Sequence, residues 1–160
     1  MARSLAPETP PDAALRQIVA ECRADLEKHR AIVLKSRRPV GIHQTRVALR
    51  RLRAAFSLFR GAVVGPTEAT LMHSLSAEAK WLAGECAPAR DLHVFLTETV
   101  SDVPPTVRRI ANRLAKVHLE RARTALTGAR YNAFTGQLAS FGQADGSTSP
   151  TRLEDRKSVV

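Results

Sequence analysis

Residues 42–60 form the stretch that most restricts how this chain can fold. At the ~100° per residue of an α-helix, four apolar side chains fall on one side of it: Leu49, Leu52, Phe56 and Phe59. A neighbouring sector carries five basic or titratable side chains: His43, Arg46, Arg50, Arg53 and Arg60. The pattern predicts a helix that packs on its own protein through the apolar seam and presents positive charge beside it.

The excess charge of the chain is concentrated around this basic helix. Ten Lys or Arg residues and no Asp or Glu lie between Lys28 and Thr67, whereas the rest of the chain has 15 basic and 15 acidic residues. The formal net charge of +10 therefore belongs to the basic helix and the segment before it. Like charges at this density repel one another, so the pattern indicates an anionic partner.

Helical periodicity also precedes the basic helix. Apolar residues recur at helical spacing in the order Leu15, Ile18, Val19, Cys22 and Leu26. They predict a first helix that is capped by Asp12 and runs to about Leu34. Pro39 and Gly41 oppose helix continuation, so we expect a break over residues 37–41 before the basic helix, which should end within residues 61–66.

Three further helical segments follow. A third helix is predicted from near Pro66, with an interruption over residues 84–88 before a short helix that ends near Leu96. The last long helix should run from Thr106 to about Gly128 and continue over residues 130–141. On that helix three apolar residues share a face, namely Ile110, Leu114 and Val117. No sustained alternation of the strand type occurs, so the predicted class is all-α.

We therefore predict one domain, a bundle of four main helices over residues 12–142. A disordered leader over residues 1–11 and a disordered tail over residues 143–160 are expected to flank it. No apolar run approaches the length that spans a bilayer, and we expect no signal peptide because the first residues lack an uninterrupted hydrophobic segment. Cys22 and Cys86 are isolated thiols, which favours a cytoplasmic protein with reduced cysteines.

Catalytic and metal-binding motifs are missing from the sequence. It has no Gly-rich phosphate loop, no Gly-x-Ser-x-Gly and no His pair at metal-ligand spacing. Phosphoryl transfer normally needs carboxylates that hold metal ions, and the basic window contains none. We expect a non-enzymatic protein without a metal or another cofactor. Asp91, beside Arg90, is expected to supply charge at a helix start rather than to orient Arg90 or His43.

Nucleic acid is the general alternative for a basic helix, because phosphate contacts supply most of its binding free energy. The sequence shows no clear helix-turn-helix, and the phenylalanines of the basic helix lie away from the cations rather than between them. A merely solvated helix face is the other alternative. Such faces usually mix charges, whereas the basic helix has no acidic residue three or four positions away from any of four arginines: Arg46, Arg50, Arg51 and Arg53.

The segment His43-Gln44-Thr45-Arg46-Val47-Ala48-Leu49-Arg50-Arg51-Leu52-Arg53 closely resembles the H-Q-x-R-V-x-x-R-R-L-R signature of the CHAD family. Arg90-Asp91-Leu92-His93-Val94 is similar to the R-D-x-D-V element of that family, with His93 in place of the second Asp. The region from Arg113 to Tyr131 resembles the helix that follows. The resemblance covers about residues 12–141.

The resemblance implies two four-helix bundles around a basic pore that binds inorganic polyphosphate without catalysis, in some cases on polyphosphate granules. The pore residues that it implies are His43, Arg46, Arg50 and Arg53, with Arg90 as a neighbour and Lys35, Arg38, Arg51 and Arg113 as further candidates. Only the first of the two bundles is matched here. Either two copies form a homodimer that rebuilds the pore, or the chain is a truncated fragment that binds polyphosphate weakly.

Overall fold

The computed structural model describes residues 5–62, 65–99 and 102–143. Five α-helices follow one another: α1 (Pro11–Lys35), α2 (Pro39–Leu58), α3 (Pro66–Val94), α4 (Pro105–Thr127) and α5 (Ala129–Gln143). A 3₁₀ turn (Arg60–Ala62) follows α2, and a π-helical turn (Phe95–Thr99) extends α3. The described residues contain no β-strand, so the predicted all-α class is confirmed. The first four residues of the expected leader and residues 144–160 of the expected tail lie outside the described residues.

Proline marks the start of four helices. Pro11, Pro39, Pro66 and Pro105 each stand at the first helical position, where the fixed φ of proline fits and its missing N–H costs nothing. The prediction that Asp12 caps α1 is wrong, because α1 begins at Pro11 and Asp12 lies in its first turn. Likewise, Pro39 and Gly41 belong to α2, and the break before α2 is shorter than predicted.

The predicted interruption at residues 84–88 is also wrong. α3 runs without a break from Pro66 to Val94 and carries Pro88 in its interior. A proline inside a helix removes one N–H donor, which destabilises the helix locally. Leu82 and Cys86, which precede Pro88, are both fully buried. Consequently Asp91 lies in the last turn of α3, where it is exposed, and does not supply charge at a helix start.

One hydrophobic core joins the helices. α2 packs between α1 and α3, α4 packs against α3, and α5 returns to α1. The core is formed largely by Leu, Ala and Val, with Tyr131 and Phe134 of α5 as its largest fully buried side chains. The rings of Phe56 and Phe141 meet edge to face in the core, with their centroids 5.8 Å apart and an interplanar angle of 88°.

Gly41 permits the close approach of α1 and α2. A Cβ placed on it would lie 2.8 Å from Cγ2 of Val33 and 3.0 Å from the Val33 amide nitrogen. Because any larger residue would collide there, the absence of a side chain sets the distance between the two helices just before the cations of α2 begin.

The apolar face predicted on α4 is turned to solvent. Val107, Ile110, Leu114 and Val117 remain 42–57% exposed, whereas α4 packs on the core through Ala111, Ala122, Ala125 and Leu126. None of the helices in the described residues is long and apolar enough to cross a membrane.

Candidate functional site

A depression of about 310 Å³ lies between α2 and α3. It is lined by His43, Arg46, Val47, Arg50 and Arg53 of α2 and by Ala83 and Arg90 of α3. We call it the cationic depression. The four α2 side chains predicted to face an anionic ligand thus line the same depression as the predicted neighbour Arg90, which comes from a different helix.

The apolar seam of α2 sets the direction of these cations. Leu49, Leu52 and Phe56 are buried, and Phe59 packs against the core from its edge. Thr45 is fully buried, and its hydroxyl donates a 2.8 Å hydrogen bond to the Gly41 carbonyl oxygen, so it adds no unsatisfied polar group to the core. With this face fixed, the spacing of three and four residues between the cations brings them to one side of the helix.

Arg46 links the two helices that form the depression. Its Nη1 donates a 3.1 Å hydrogen bond to the carbonyl oxygen of Ala83 in α3, and its side chain is only partly exposed. His43, Arg50 and Arg53 are exposed, whereas Arg90 is partly buried. The site therefore combines the anchored guanidinium of Arg46 with two guanidiniums, those of Arg50 and Arg53, that are open to solvent.

Elsewhere in the described chain, five arginines lie within 4.0 Å of a carboxylate: Arg16, Arg51, Arg121, Arg123 and Arg130. Bidentate hydrogen bonds join Arg121 to Glu85 and Arg130 to Glu78, at 2.7–3.0 Å. Arg123 bonds to Glu120 and to the carbonyl oxygens of Val33 and Ser36. By contrast, no carboxylate of the described residues lies within 4.0 Å of Arg46, Arg50, Arg53 or Arg90. The cationic depression thus brings together four arginines that have no carboxylate partner; other such arginines, among them Arg109 and Arg113, lie elsewhere on the described chain.

Arg51 differs from its neighbours on α2. Its guanidinium lies 3.3 Å from Asp25 and 3.6 Å from Glu21, both on α1. The sequence contains no acid near Arg51 on its own helix, so local spacing gave no signal of this pairing. The structure places Arg51 outside the lining of the cationic depression.

The other predicted residues are divided among different places. Arg38 lies at the start of α2 and lines a second cavity, which it shares with Arg90. Lys35 is exposed at the end of α1, and Arg113 is exposed on α4; neither lines the depression. Asp91 forms no side-chain hydrogen bond or ion pair with the described residues, so it orients neither Arg90 nor His43 there.

The second cavity has a volume of about 380 Å³ and lies between the start of α2, the end of α3 and α4. We call it the α2–α4 chamber. It is lined by Arg37, Arg38, Pro39, Ile42, Ala89, Arg90, His93, Leu96, Asn112, Ala115, Lys116 and Leu119. Arg90 is common to both cavities. Sequence reasoning missed this chamber, since its wall comes from three separate segments of the chain, residues 37–42, 89–96 and 112–119.

Both cysteines are buried and free. Burial raises the pKa of the Cys86 thiol to about 12, against the opposing effect of nearby Arg46, and the pKa of Cys22 to about 11, against that of Arg51. The thiols are therefore protonated at neutral pH and are not nucleophiles. The described residues contain no cluster of three His, Cys, Asp or Glu side chains that could hold a metal ion.

The fold and the depression together define an all-helical protein that gathers unpaired arginines between two adjacent helices. The family model of the CHAD domain matches residues 17–158, and the chain belongs to this family. The chain is also similar to the crystal structure of the CHAD domain from the plant Ricinus communis, with a TM-score of 0.76 and 25% sequence identity. The match covers 89% of this chain and 48% of that one, so this chain spans about half of the length of that relative. No curated protein sequence matches the chain.

Proposed function

We propose that this protein binds inorganic polyphosphate in the cationic depression. The observation that carries the proposal is the convergence of Arg46, Arg50, Arg53 and Arg90 without a carboxylate partner in the described residues. Unpaired guanidiniums held close together repel one another until an anion neutralises them. Membership of the CHAD family supports the same ligand, because the sequence signature of that family supplies these arginines.

The geometry suits a linear chain of phosphates. A guanidinium forms paired hydrogen bonds with the oxygens of a phosphate group. Because the arginines follow one another along α2, each could bind a different phosphate of the same linear chain. His43 at one end of the row adds an imidazole, whose ring N–H can donate a hydrogen bond to a phosphate oxygen. No Phe, Tyr or Trp ring lines the depression, so it lacks the large aromatic platforms on which the bases of a single-stranded nucleic acid usually stack.

We propose binding without chemical conversion. Enzymes that transfer phosphoryl groups generally hold metal ions through carboxylates, and the lining of the depression contains none. The protein would meet its ligand in the cytoplasm, on polyphosphate granules. Co-localisation of a fluorescent fusion with stained granules tests that location.

A competition titration tests the ligand. Labelled polyphosphate bound to the full chain is displaced at fixed, near-physiological salt by unlabelled polyphosphate, duplex DNA or ATP. We expect unlabelled polyphosphate to compete at least about tenfold better than DNA at equal phosphate concentration. DNA could add contacts through its bases, and the depression is not shaped to make such contacts. Equal competition by DNA and polyphosphate would instead establish a generic polyanion-binding protein.

We further propose that a second copy of this chain covers the exposed apolar stripe of α4, formed by Val107, Ile110, Leu114 and Val117. In the solved CHAD domain, as much chain again accompanies the part that matches here. The stripe is flanked by exposed Arg109, Arg113 and Lys116, so two copies would repel each other until a polyanion lies between them. Light scattering should show a dimer when polyphosphate is added, and Ile110→Glu should prevent it. A strict monomer at tens of micromolar, with and without polyphosphate, would contradict the homodimer.

A further inference from the structure

The α2–α4 chamber has an apolar floor that polyphosphate binding does not require. Ile42 forms part of it and is only 4% exposed, and Ala89 and Leu119 pack against the hydrophobic core. Leu96 and Ala115 complete the apolar part of the wall. An apolar ligand group that displaces water from such a surface binds with a favourable free energy. An inorganic phosphate chain has no apolar surface with which to do so.

The rim of the same chamber is cationic. Arg37, Arg38, Arg90 and Lys116 line it together with His93, and no carboxylate belongs to the lining. A small anionic group at this rim would be attracted by charges from three separate segments of the chain, so it would be held at one end of the apolar space.

The start of α2 adds a second, independent preference for an anion. The helix begins at the chamber wall with Arg38 as N-cap, and no side chain caps its first amide groups. Its first turn also lacks an acidic residue. The partial positive charge of a helix N-terminus is therefore left uncompensated beside the guanidiniums.

We propose that the α2–α4 chamber binds a small amphiphilic anion, a phosphate monoester of an aliphatic alcohol, with its alkyl body on the apolar floor and its phosphate at the rim beside Arg90. A nucleotide fits less well, since no Phe, Tyr or Trp ring lines the chamber to stack on a base. This ligand differs from polyphosphate and meets it only through Arg90, which lines both cavities.

Isothermal titration calorimetry of the full chain with n-octyl phosphate tests the proposal. Inorganic phosphate, which lacks the alkyl body, and n-octyl glucoside, which lacks the charge, serve as comparison ligands. We expect n-octyl phosphate to bind at least about tenfold more tightly than either, because each buried methylene adds about 0.8 kcal/mol at most. Equal binding of n-octyl phosphate and inorganic phosphate would overturn the proposal.

Matched variants locate the binding. Ala115→Trp fills the chamber, whereas Ala133→Trp places the same side chain on the exposed side of α5. Asn112→Asp puts a negative charge on the rim, whereas Asn132→Asp makes the same change on exposed α5. We expect Ala115→Trp to abolish n-octyl phosphate binding and Asn112→Asp to weaken it about fivefold, with both controls near wild type.

Equal affinity of Ala115→Trp and Ala133→Trp for n-octyl phosphate would contradict the assignment. If Ala115→Trp loses helical content in circular dichroism, the comparison of the two Asn→Asp variants decides, because Asn112 and Asn132 are both exposed. The titration contains no polyphosphate. A chain that binds n-octyl phosphate in the chamber but not polyphosphate would therefore support this inference and contradict the proposed function.

Discussion

The guanidinium of Arg46 is bound to the carbonyl oxygen of Ala83 through a single 3.1 Å hydrogen bond, which holds a cation at the boundary between α2 and α3. A guanidinium has five N–H donors, so most of those on Arg46 remain available to a ligand. Arg50 lies about one turn further along α2, is exposed, and has no ion-pair or hydrogen-bond partner among the described residues. These two side chains are the natural pair with which to test the cationic depression.

Replacing both arginines should remove most polyphosphate binding. We expect Arg46→Ala combined with Arg50→Ala to raise the Kd at least about tenfold, since each charge-assisted hydrogen bond to an anion contributes about 1.5–3 kcal/mol. Calorimetric titration with polyphosphate of defined length at fixed salt measures the change.

The matched control removes the same formal charge elsewhere. Arg121→Ala combined with Arg130→Ala takes away two arginines that are already paired with Glu85 and Glu78. Its Kd should stay within about twofold of wild type, because a paired arginine has little charge left to offer. An equal rise in Kd for the two double variants would show that bulk charge, and not the cationic depression, determines affinity.

Salt should weaken polyphosphate binding steeply. Binding that releases counterions from a polyanion gives a linear fall of log Kobs with log salt concentration, and the slope reflects the number of phosphates neutralised. We expect the Arg46→Ala and Arg50→Ala double variant to have a slope shallower by about two, because two fewer phosphates are neutralised. An unchanged slope, measured by titrations between about 50 and 200 mM salt, would mean that neither arginine touches phosphate.

Gly41 should be intolerant of a side chain. Gly41→Ala places a Cβ 2.8 Å from Cγ2 of Val33, so we expect a decrease of about 1–3 kcal/mol in the free energy of unfolding, measured by urea denaturation. Gly84→Ala in the middle of α3 is the control, because nothing lies within 4 Å of its added Cβ. That change should stabilise the protein by about 0.5–1 kcal/mol, since alanine favours a helix over glycine. A Gly41→Ala protein as stable as wild type would disprove the close approach of α1 and α2.

The buried thiols should resist alkylation. The pKa of about 12 for Cys86 and about 11 for Cys22 leaves almost no thiolate at pH 8, and both side chains are fully buried. We expect iodoacetamide to modify them at least about a hundredfold more slowly in the folded chain than in denaturant, where a thiol has a pKa of about 8.5. Mass spectrometry of timed samples measures both rates. Rapid labelling of Cys86 alone would indicate that α3 opens near the hydrogen bond between Arg46 and Ala83.

Periodicity predicted most of the helices, because the apolar seam of each one is local in sequence. The start of α2 and the continuity of α3 were mispredicted for one reason, namely that Pro39, Gly41 and Pro88 were interpreted as breaks. Tertiary packing tolerates all three inside or at the start of a helix. Helix spacing also placed His43, Arg46, Arg50 and Arg53 on one side of α2, and the structure brings Arg90 beside them.

Three features of the structure could not be predicted from the sequence, because each depends on contacts between segments that are distant in the chain. Arg51 has the same local surroundings as Arg50, yet it reaches Asp25 and Glu21 on α1 because of the way the two helices pack. The apolar face of α4 looks like a core face in the sequence, and only the packing of α4 through small alanines shows that it is open to solvent. The α2–α4 chamber likewise requires three segments to come together.

The arginines of the cationic depression lead us to expect two opposite effects of salt on this protein. In the free chain, added ions should screen the repulsion among Arg46, Arg50, Arg53 and Arg90 and therefore raise the melting temperature. In the proposed complex with polyphosphate, the polyanion would already neutralise these charges, so added salt should promote dissociation and lower the melting temperature. The proposed ligand would thus take over the role that acidic side chains play beside arginines such as Arg121 and Arg130, and at low ionic strength we expect the highest melting temperature when that ligand is bound.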